Sequence, residues 1–196
     1  MDKLEQAKKN FEEGIKLFQK KNFKEAQLYF EKTLEAAPNS SPTLENLSKS
    51  YLETKDYDKA EKILKHFISL DKEDNQIAYK LLYDIYSTLN KYDELKNLAN
   101  DAISKNKFGK EFVLKSRLFY PNFFNSLKEI DVIRKKFTDE VDKLIKNEKI
   151  TNLDISEKLI KPPNFELSYD GYDNLEINKK LIQLYYKIYP DLKKIK

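Results

Sequence analysis

Small, aromatic and aliphatic residues recur along the first half of the chain at fixed offsets. In windows 7–40, 41–74 and 76–109, the first two abut with a 34-residue period and the third is displaced by one further residue. Position 8 of the window is small in Gly14 and Ser48, with Tyr83 as the exception. Position 11 holds Leu17, Tyr51 and Tyr86, and position 17 holds Phe23, Tyr57 and Tyr92. Position 20 holds Ala26, Ala60 and Leu95; position 24 holds Phe30, Leu64 and Ala99; position 28 holds Leu34, Ile68 and Ile103. Pro38 stands at position 32 of the first window, where Lys72 and Lys107 stand later. Steps of three and four residues predict helix. The polar breaks Lys20-Lys21-Asn22, Lys55-Asp56 and Asn90-Lys91 divide each window into two helices joined by a turn. Small residues at positions 8 and 20 let the two helices approach closely, and bulky ones at 24 and 28 fill the seam to the next hairpin.

Beyond the windows the pattern changes. Phe112, Val113, Leu118 and Phe119 predict a short apolar helix over residues 110–120, stopped by Pro121, which caps the last hairpin. Ser126-Leu127-Lys128-Glu129 reads as a capping box. It opens a helix with Ile130, Ile133, Phe137, Val141, Leu144 and Ile145 along one face, ending near Asn147. A polar helix or turn follows around residues 154–160, then Lys161-Pro162-Pro163-Asn164, which cannot be helical throughout. Phe165-Glu166-Leu167-Ser168-Tyr169 alternates like a short strand, or an extended segment laid over a core. Gly171 permits a turn, and Asn174 caps a last helix with Leu175, Ile182, Tyr185 and Ile188 facing inward, closed by Pro190.

Composition narrows the chemistry. With no Cys there is no disulfide, thiolate metal site or cysteine nucleophile, and the single His66 leaves no histidine cluster or serine triad. Three Gly cannot build a phosphate-cradling loop, so no cofactor is implied. The net charge of +4 comes from 37 basic and 33 acidic residues, but only Arg117 and Arg134 are arginines and the lysines lie among acids. That is no nucleic-acid stripe. The charged N-terminus lacks a signal-peptide core, and no stretch reaches the roughly 18 apolar residues of a membrane span. The expectation is a soluble, cytoplasmic chain without membrane or nucleic-acid partners. Acid pairs such as Asp71/Asp74 and Asp139/Asp142 read as solvated helix faces.

The recurring letters of residues 7–109 resemble the tetratricopeptide repeat. The first two windows match well, and the third departs at Tyr83 and Leu95. The resemblance implies an all-α fold: three helical hairpins stacked as a right-handed solenoid, followed by a helical C-terminal capping region over 110–196. It also implies a concave face lined by first-helix positions 2, 5, 9, 12 and 13. These are Lys8, Phe11, Ile15, Phe18 and Gln19; Pro42, Glu45, Lys49, Leu52 and Glu53; Ile77, Lys80, Asp84, Ser87 and Thr88. Phe11, Ile15 and Phe18 either form an exposed apolar stripe or cover one another, residues 1–6 or the tail. Two recognition devices of the family are missing. The five carboxylate-clamp positions hold Phe11, Ile15, Asn46, Ile77 and Leu81, of which only Asn46 fits. The asparagine-ladder positions hold Glu12, Asn46 and Leu81. What remains is a trough for a peptide or helix of a protein partner, with Phe11, Ile15, Phe18, Asn46, Lys49, Lys80 and Asp84 as its candidate contacts.

Residues 110–192 resemble the segment after the repeats in bacterial O-linked N-acetylglucosamine transferases of the Spindly type. The matching letters lie in 112–119, in 130–137, in Asn164-Phe165-x-Leu167-x-Tyr169-x-Gly171, and in 181–192. Asp173-Asn174 follows Gly171-Tyr172 where the family has Asn first, and no donor-binding or catalytic residue of the family has a counterpart here. Three functions follow. The first is a protein-interaction module, non-catalytic by itself. The second is a substrate-recruiting part of a sugar-nucleotide-dependent protein glycosyltransferase whose lobes lie outside this sequence. The third is a homo-oligomeric scaffold; the oligomeric state itself is open.

Overall fold

A computed structural model describes residues 2–105, 109–147 and 165–194. The sequence-predicted turn at 154–160 and the Lys161-Pro162-Pro163-Asn164 run lie outside them. The described residues form helices and no strand, in the order α1 (Lys3–Gln19), α2 (Phe23–Ala36), α3 (Ser41–Glu53), α4 (Tyr57–Ser69), α5 (Gln76–Thr88), α6 (Tyr92–Ser104), α7 (Lys110–Arg117), α8 (Leu127–Lys146) and α9 (Leu175–Ile188). Short 3-10 turns occupy Glu73–Asn75, Phe165–Tyr169 and Pro190–Lys194. The chain divides into two compact units, residues 1–85 and 86–196.

The predicted hairpin turns are closed by one hydrogen-bond pattern used three times. After α1, the Asn22 N–H reaches the Leu17 carbonyl at 2.9 Å and the Lys21 N–H reaches that of Phe18 at 2.9 Å. After α3, Asp56 bonds Tyr51 at 2.9 Å and Lys55 bonds Leu52 at 3.0 Å. After α5, Lys91 bonds Tyr86 at 2.8 Å and Asn90 bonds Ser87 at 3.4 Å. Each is a Schellman closure, which needs a left-handed residue just past the helix. Lys21, Lys55 and Asn90 supply it, with φ of 62°, 60° and 53°. All three stand at position 15 of their windows, so the repeat is written in backbone geometry as well as in side chains. A left-handed lysine carries a steric cost that glycine escapes. The variant Lys55→Gly is therefore expected to raise the urea midpoint, reflecting a gain in stability of about 0.5–1 kcal/mol after the added freedom of the unfolded chain is subtracted.

In the first unit α1 packs on α2, α2 on α3, α3 on α4, and α1 also touches α3. Positions 20 and 24 are the most deeply buried of the recurring sites: Ala26, Phe30, Ala60 and Leu64 are all 0% exposed. A Cβ on Gly14 would lie 2.6 Å from the Phe30 ring, so the small residue at position 8 is what admits the large one at position 24. In the second hairpin Ser48 and Leu64 are both fully buried. As position 8 grows from Gly14 to Ser48 to Tyr83, position 24 shrinks from Phe30 to Leu64 to Ala99. The third window thus departs from the pattern at position 8 but keeps the trade in volume. Position 28 departs from the expectation there: Ile103 is 44% exposed and fills no seam.

In the second unit α7 packs on α6, and α9 packs on α8 and on the 3-10 turn after it. The core joins Leu114, Leu118, Ile133, Phe137, Val141 and Leu144 to Leu167, Ile177, Leu181, Leu184 and Ile188. Ser126 caps α8 as predicted, accepting from the Glu129 N–H at 3.1 Å, but Glu129 Oε2 returns to the Asn125 N–H at 2.7 Å, one residue earlier than a capping box requires. Three expectations are corrected. Phe165–Tyr169 is a 3-10 turn, not a strand. No neighbouring strand offers it a ladder, and local bonds satisfy its backbone instead. On α9 the inward residues are Ile177, Leu181, Leu184 and Ile188, while Leu175 and Ile182 are 56% and 53% exposed. The helix carries two apolar stripes, and packing on α8 selects one. Finally, Asn174 does not cap α9 with its side chain. Asp173 Oδ1 takes the Leu175 N–H at 2.9 Å, and Asn174 faces a buried polar cluster.

That cluster is built around Asp170, whose side chain is 0% exposed. Its Oδ2 accepts from Arg134 Nη1 at 2.5 Å and from the Tyr120 hydroxyl at 2.9 Å, and its Oδ1 from the Tyr172 N–H at 3.0 Å. The other Arg134 contacts are Asn174 Oδ1 at 2.6 Å and the Asp173 carbonyl at 3.0 Å. Burial and the Asp170 bond push the Tyr120 hydroxyl far above the usual phenol range. The Tyr172 ring lies 4.9 Å from the guanidinium, and its hydroxyl donates to Asp131 at 2.6 Å. Gly171, with φ of 79°, makes the bend that turns this segment back onto α8.

Candidate functional site

The candidate groove residues come from α1, α3 and α5, and all but Ser87 and Thr88 lie in the first unit. Along each helix the structure separates an inner face from an outer one. Ala7 and Gly14 on α1, Leu44, Leu47, Ser48 and Tyr51 on α3, and Ala78, Tyr79, Leu82 and Ile85 on α5 are buried. None of the fifteen groove positions is buried; Lys8, Gln19, Pro42, Glu53, Lys80, Asp84 and Thr88 are exposed and the rest half-buried. A helix turns about 100° per residue, so neighbours one or two apart fall on different faces.

The apolar end of this surface is shared with the hairpin's own packing. The Phe11 ring lies 5.9 Å from that of Phe30 and the Phe18 ring 5.3 Å from that of Phe23, the latter edge to face. Both partners belong to α2, so α2 supplies part of the cover over the stripe, and Phe11, Ile15 and Phe18 each keep an accessible part. On α3, Lys49 Nζ sits 2.6 Å from Glu45 Oε1, a pair with side chains 38% and 33% exposed. An ion pair this exposed contributes little to stability and is readily exchanged for a partner's charge. Asn46 donates from Nδ2 to the Pro42 carbonyl at 2.8 Å, one turn back on its own helix. That fixes the amide and leaves its oxygen as the acceptor a ligand would meet. Phe11, Ile15 and Phe18 share α1, Asn46 and Lys49 share α3, which α1 touches, and Lys80 and Asp84 share α5.

Polar links that no spacing announces hold these helices in place. Gln27 on α2 donates to the Ser50 carbonyl at 2.9 Å and to Thr54 Oγ1 at 3.0 Å, tying α2 to the end of α3. The Tyr51 hydroxyl donates to Glu31, and burial together with that carboxylate pushes the phenol well above its usual range. Lys72 Nζ reaches the Asn39 carbonyl at 2.5 Å, and His66 Nε2 lies 3.3 Å from that of Pro38, so the turn between the hairpins is gripped from α4 and the segment after it. His66 is exposed. The outer faces of these helices thus combine half-exposed apolar side chains with charged ones.

Elsewhere, burial pulls the Lys96 ammonium down to about 7. Its Nζ donates to the Arg117 carbonyl, lies 3.5 Å from that of Ser116, and sits 4.7 Å from the Tyr92 ring. It closes the C-terminus of α7, where the helix dipole favours a donor. Among the described residues no group of three or more His, Asp or Glu could hold a metal ion, and no helix is long and apolar enough to cross a membrane.

No curated protein and no solved structure matches the chain. Nothing in the comparisons supports the glycosyltransferase resemblance of the tail. Among the letters that carried it, Leu118, Ile133, Phe137, Leu167, Leu181 and Ile188 are core residues of the second unit, whose spacing packing explains, while Tyr169 is 83% exposed. One family model does match: residues 17–85, from the last residues of α1 into α5, are similar to the tetratricopeptide repeat, a scaffold that in general binds other proteins and is typically non-catalytic.

Proposed function

We propose that the first unit binds a peptide or helical segment of a protein partner along the outer faces of α1, α3 and α5. Phe11, Ile15 and Phe18 supply the apolar anchor, and Asn46, Lys49, Lys80 and Asp84 the polar selection. The observation that supports this reading most is that every groove position keeps accessible surface, while on α3 and α5 the positions between them, Leu44, Leu47 and Ser48, and Ala78, Tyr79, Leu82 and Ile85, are buried. Three Schellman turns and the Gln27 link hold the wall in advance, which lowers the ordering cost of capture. The mixed charge, Glu45 and Lys49 on one helix and Lys80 and Asp84 on the next, favours a partner with both signs. Recruitment of substrates for a glycosyltransferase rests on the tail's letters alone, which no comparison supports, so the binding module is the stronger reading.

Peptide display against the whole chain, followed by titration of the selected peptides, tests it. The exchange Lys80→Glu with Asp84→Lys lies on exposed positions and leaves the helical signal intact. It is expected to weaken the selected peptides by about tenfold, the scale of one or two lost charge contacts. Peptides that bind both forms equally would place recognition on another face.

A further inference from the structure

In the second unit, the stripe of α9 that packing rejected is not left as a bare convex surface. It lines a cleft of about 500 Å³ between α9, the last turn of α8 and the final 3-10 turn. The apolar floor is Ile182, Tyr186 and Ile145; Ile182 and Tyr186 are 53% and 40% exposed. Three lysines, Lys179, Lys187 and Lys193, line it together with Gln183, and among the described residues no carboxylate does. Lys187 is held rigid by the carbonyls of Leu144, Ile145 and Asn147, so the negative end of the α8 dipole is already neutralised. Lys179 pairs with Glu176, a pair 60% and 77% exposed, which a competing carboxylate can replace. Lys193 projects into solvent.

We infer that this cleft is a second docking site, independent of the groove on the first unit, for an acidic peptide segment that inserts a bulky apolar side chain. The recess between Ile145, Ile182 and Tyr186 takes the apolar anchor, and the lysine rim pairs with Asp or Glu on either side of it. Charge complementarity argues against a second copy of this chain, whose matching face would bring lysines against lysines. A concave floor suits an inserted side chain better than a flat lipid surface.

The test uses the whole chain and a fluorescein-labelled peptide of about twelve residues, three helical turns, with Leu and Phe at every third or fourth place and Glu elsewhere. Anisotropy is expected to show binding that weakens as salt rises. The variants Ile182→Glu and Lys193→Glu, both at exposed positions, are expected to lose it by at least about tenfold with unchanged circular dichroism. Lys80→Glu on the first unit leaves it unaltered. No binding of the glutamate peptide, equal binding of a version with Lys for every Glu, or indifference to Ile182→Glu would each overturn the proposal. Ile182-dependent partition onto phosphatidylserine vesicles without peptide binding would do so too, by making the site a lipid contact.

Discussion

Alanine at position 14 is expected to destabilise the first unit by about 1–2 kcal/mol, although alanine is the better helix former by roughly 1 kcal/mol. The added methyl would sit 2.6 Å from Cε1 and 2.8 Å from Cδ1 of Phe30. That ring is 0% exposed and packs on Phe11, so it has nowhere inexpensive to move. Overpacking of this kind outweighs the gain in propensity. Phe30→Leu, which copies the Ser48 and Leu64 arrangement of the second hairpin, should restore most of the loss when combined with Gly14→Ala, even though Phe30→Leu alone costs stability. Urea midpoints of the four proteins form a double-mutant cycle, and a coupling of at least about 1 kcal/mol is expected. Strictly additive losses would show that Gly14 does not make room for Phe30.

Arg134→Met should be the more damaging change, on the order of 3–5 kcal/mol in the second unit, because it strands a fully buried carboxylate. Asp170 would keep the Tyr120 hydroxyl and the Tyr172 N–H but lose its only ion pair among the described residues. Converting Asp170 to Asn in the same protein removes the uncompensated charge and is expected to recover at least half of the loss. Amide hydrogen exchange along α8 and α9 reads the effect locally and separates it from the first unit. If Arg134→Met leaves protection in α9 unchanged, the cluster does not hold that helix to α8.

The tandem hairpins were legible because their information is local. A left-handed residue at position 15, an aromatic at 17 and a small residue at 20 act within a few residues of one another, and Schellman closure needs nothing else. The exposure of Glu45, Asn46 and Lys49 was legible for the same reason: burial of Leu44 and Leu47 leaves them outside by helix geometry alone. What escaped was the cover that α2 gives Phe11 and Phe18, since Phe30 and Phe23 had other assigned roles in the pattern. The tail was harder. Tyr120, Arg134, Asp170 and Asn174 follow no period, so nothing marked them as one cluster before the chain was folded.

The sequence by itself determined an all-α chain, the places where the tandem helices begin and turn, and the faces that those turns leave outward. Each is settled by sterics and hydrogen bonds reaching no farther than a helical turn or a hairpin. Only the tertiary structure decided which of the two apolar stripes on α9 is buried, that Phe165–Tyr169 winds as a 3-10 turn, and that one arginine gathers residues up to 40 positions away. Either stripe satisfies helical periodicity equally well. The choice falls to whichever face of α8 and whichever buried charge must be matched, and those partners exist only once distant segments have met.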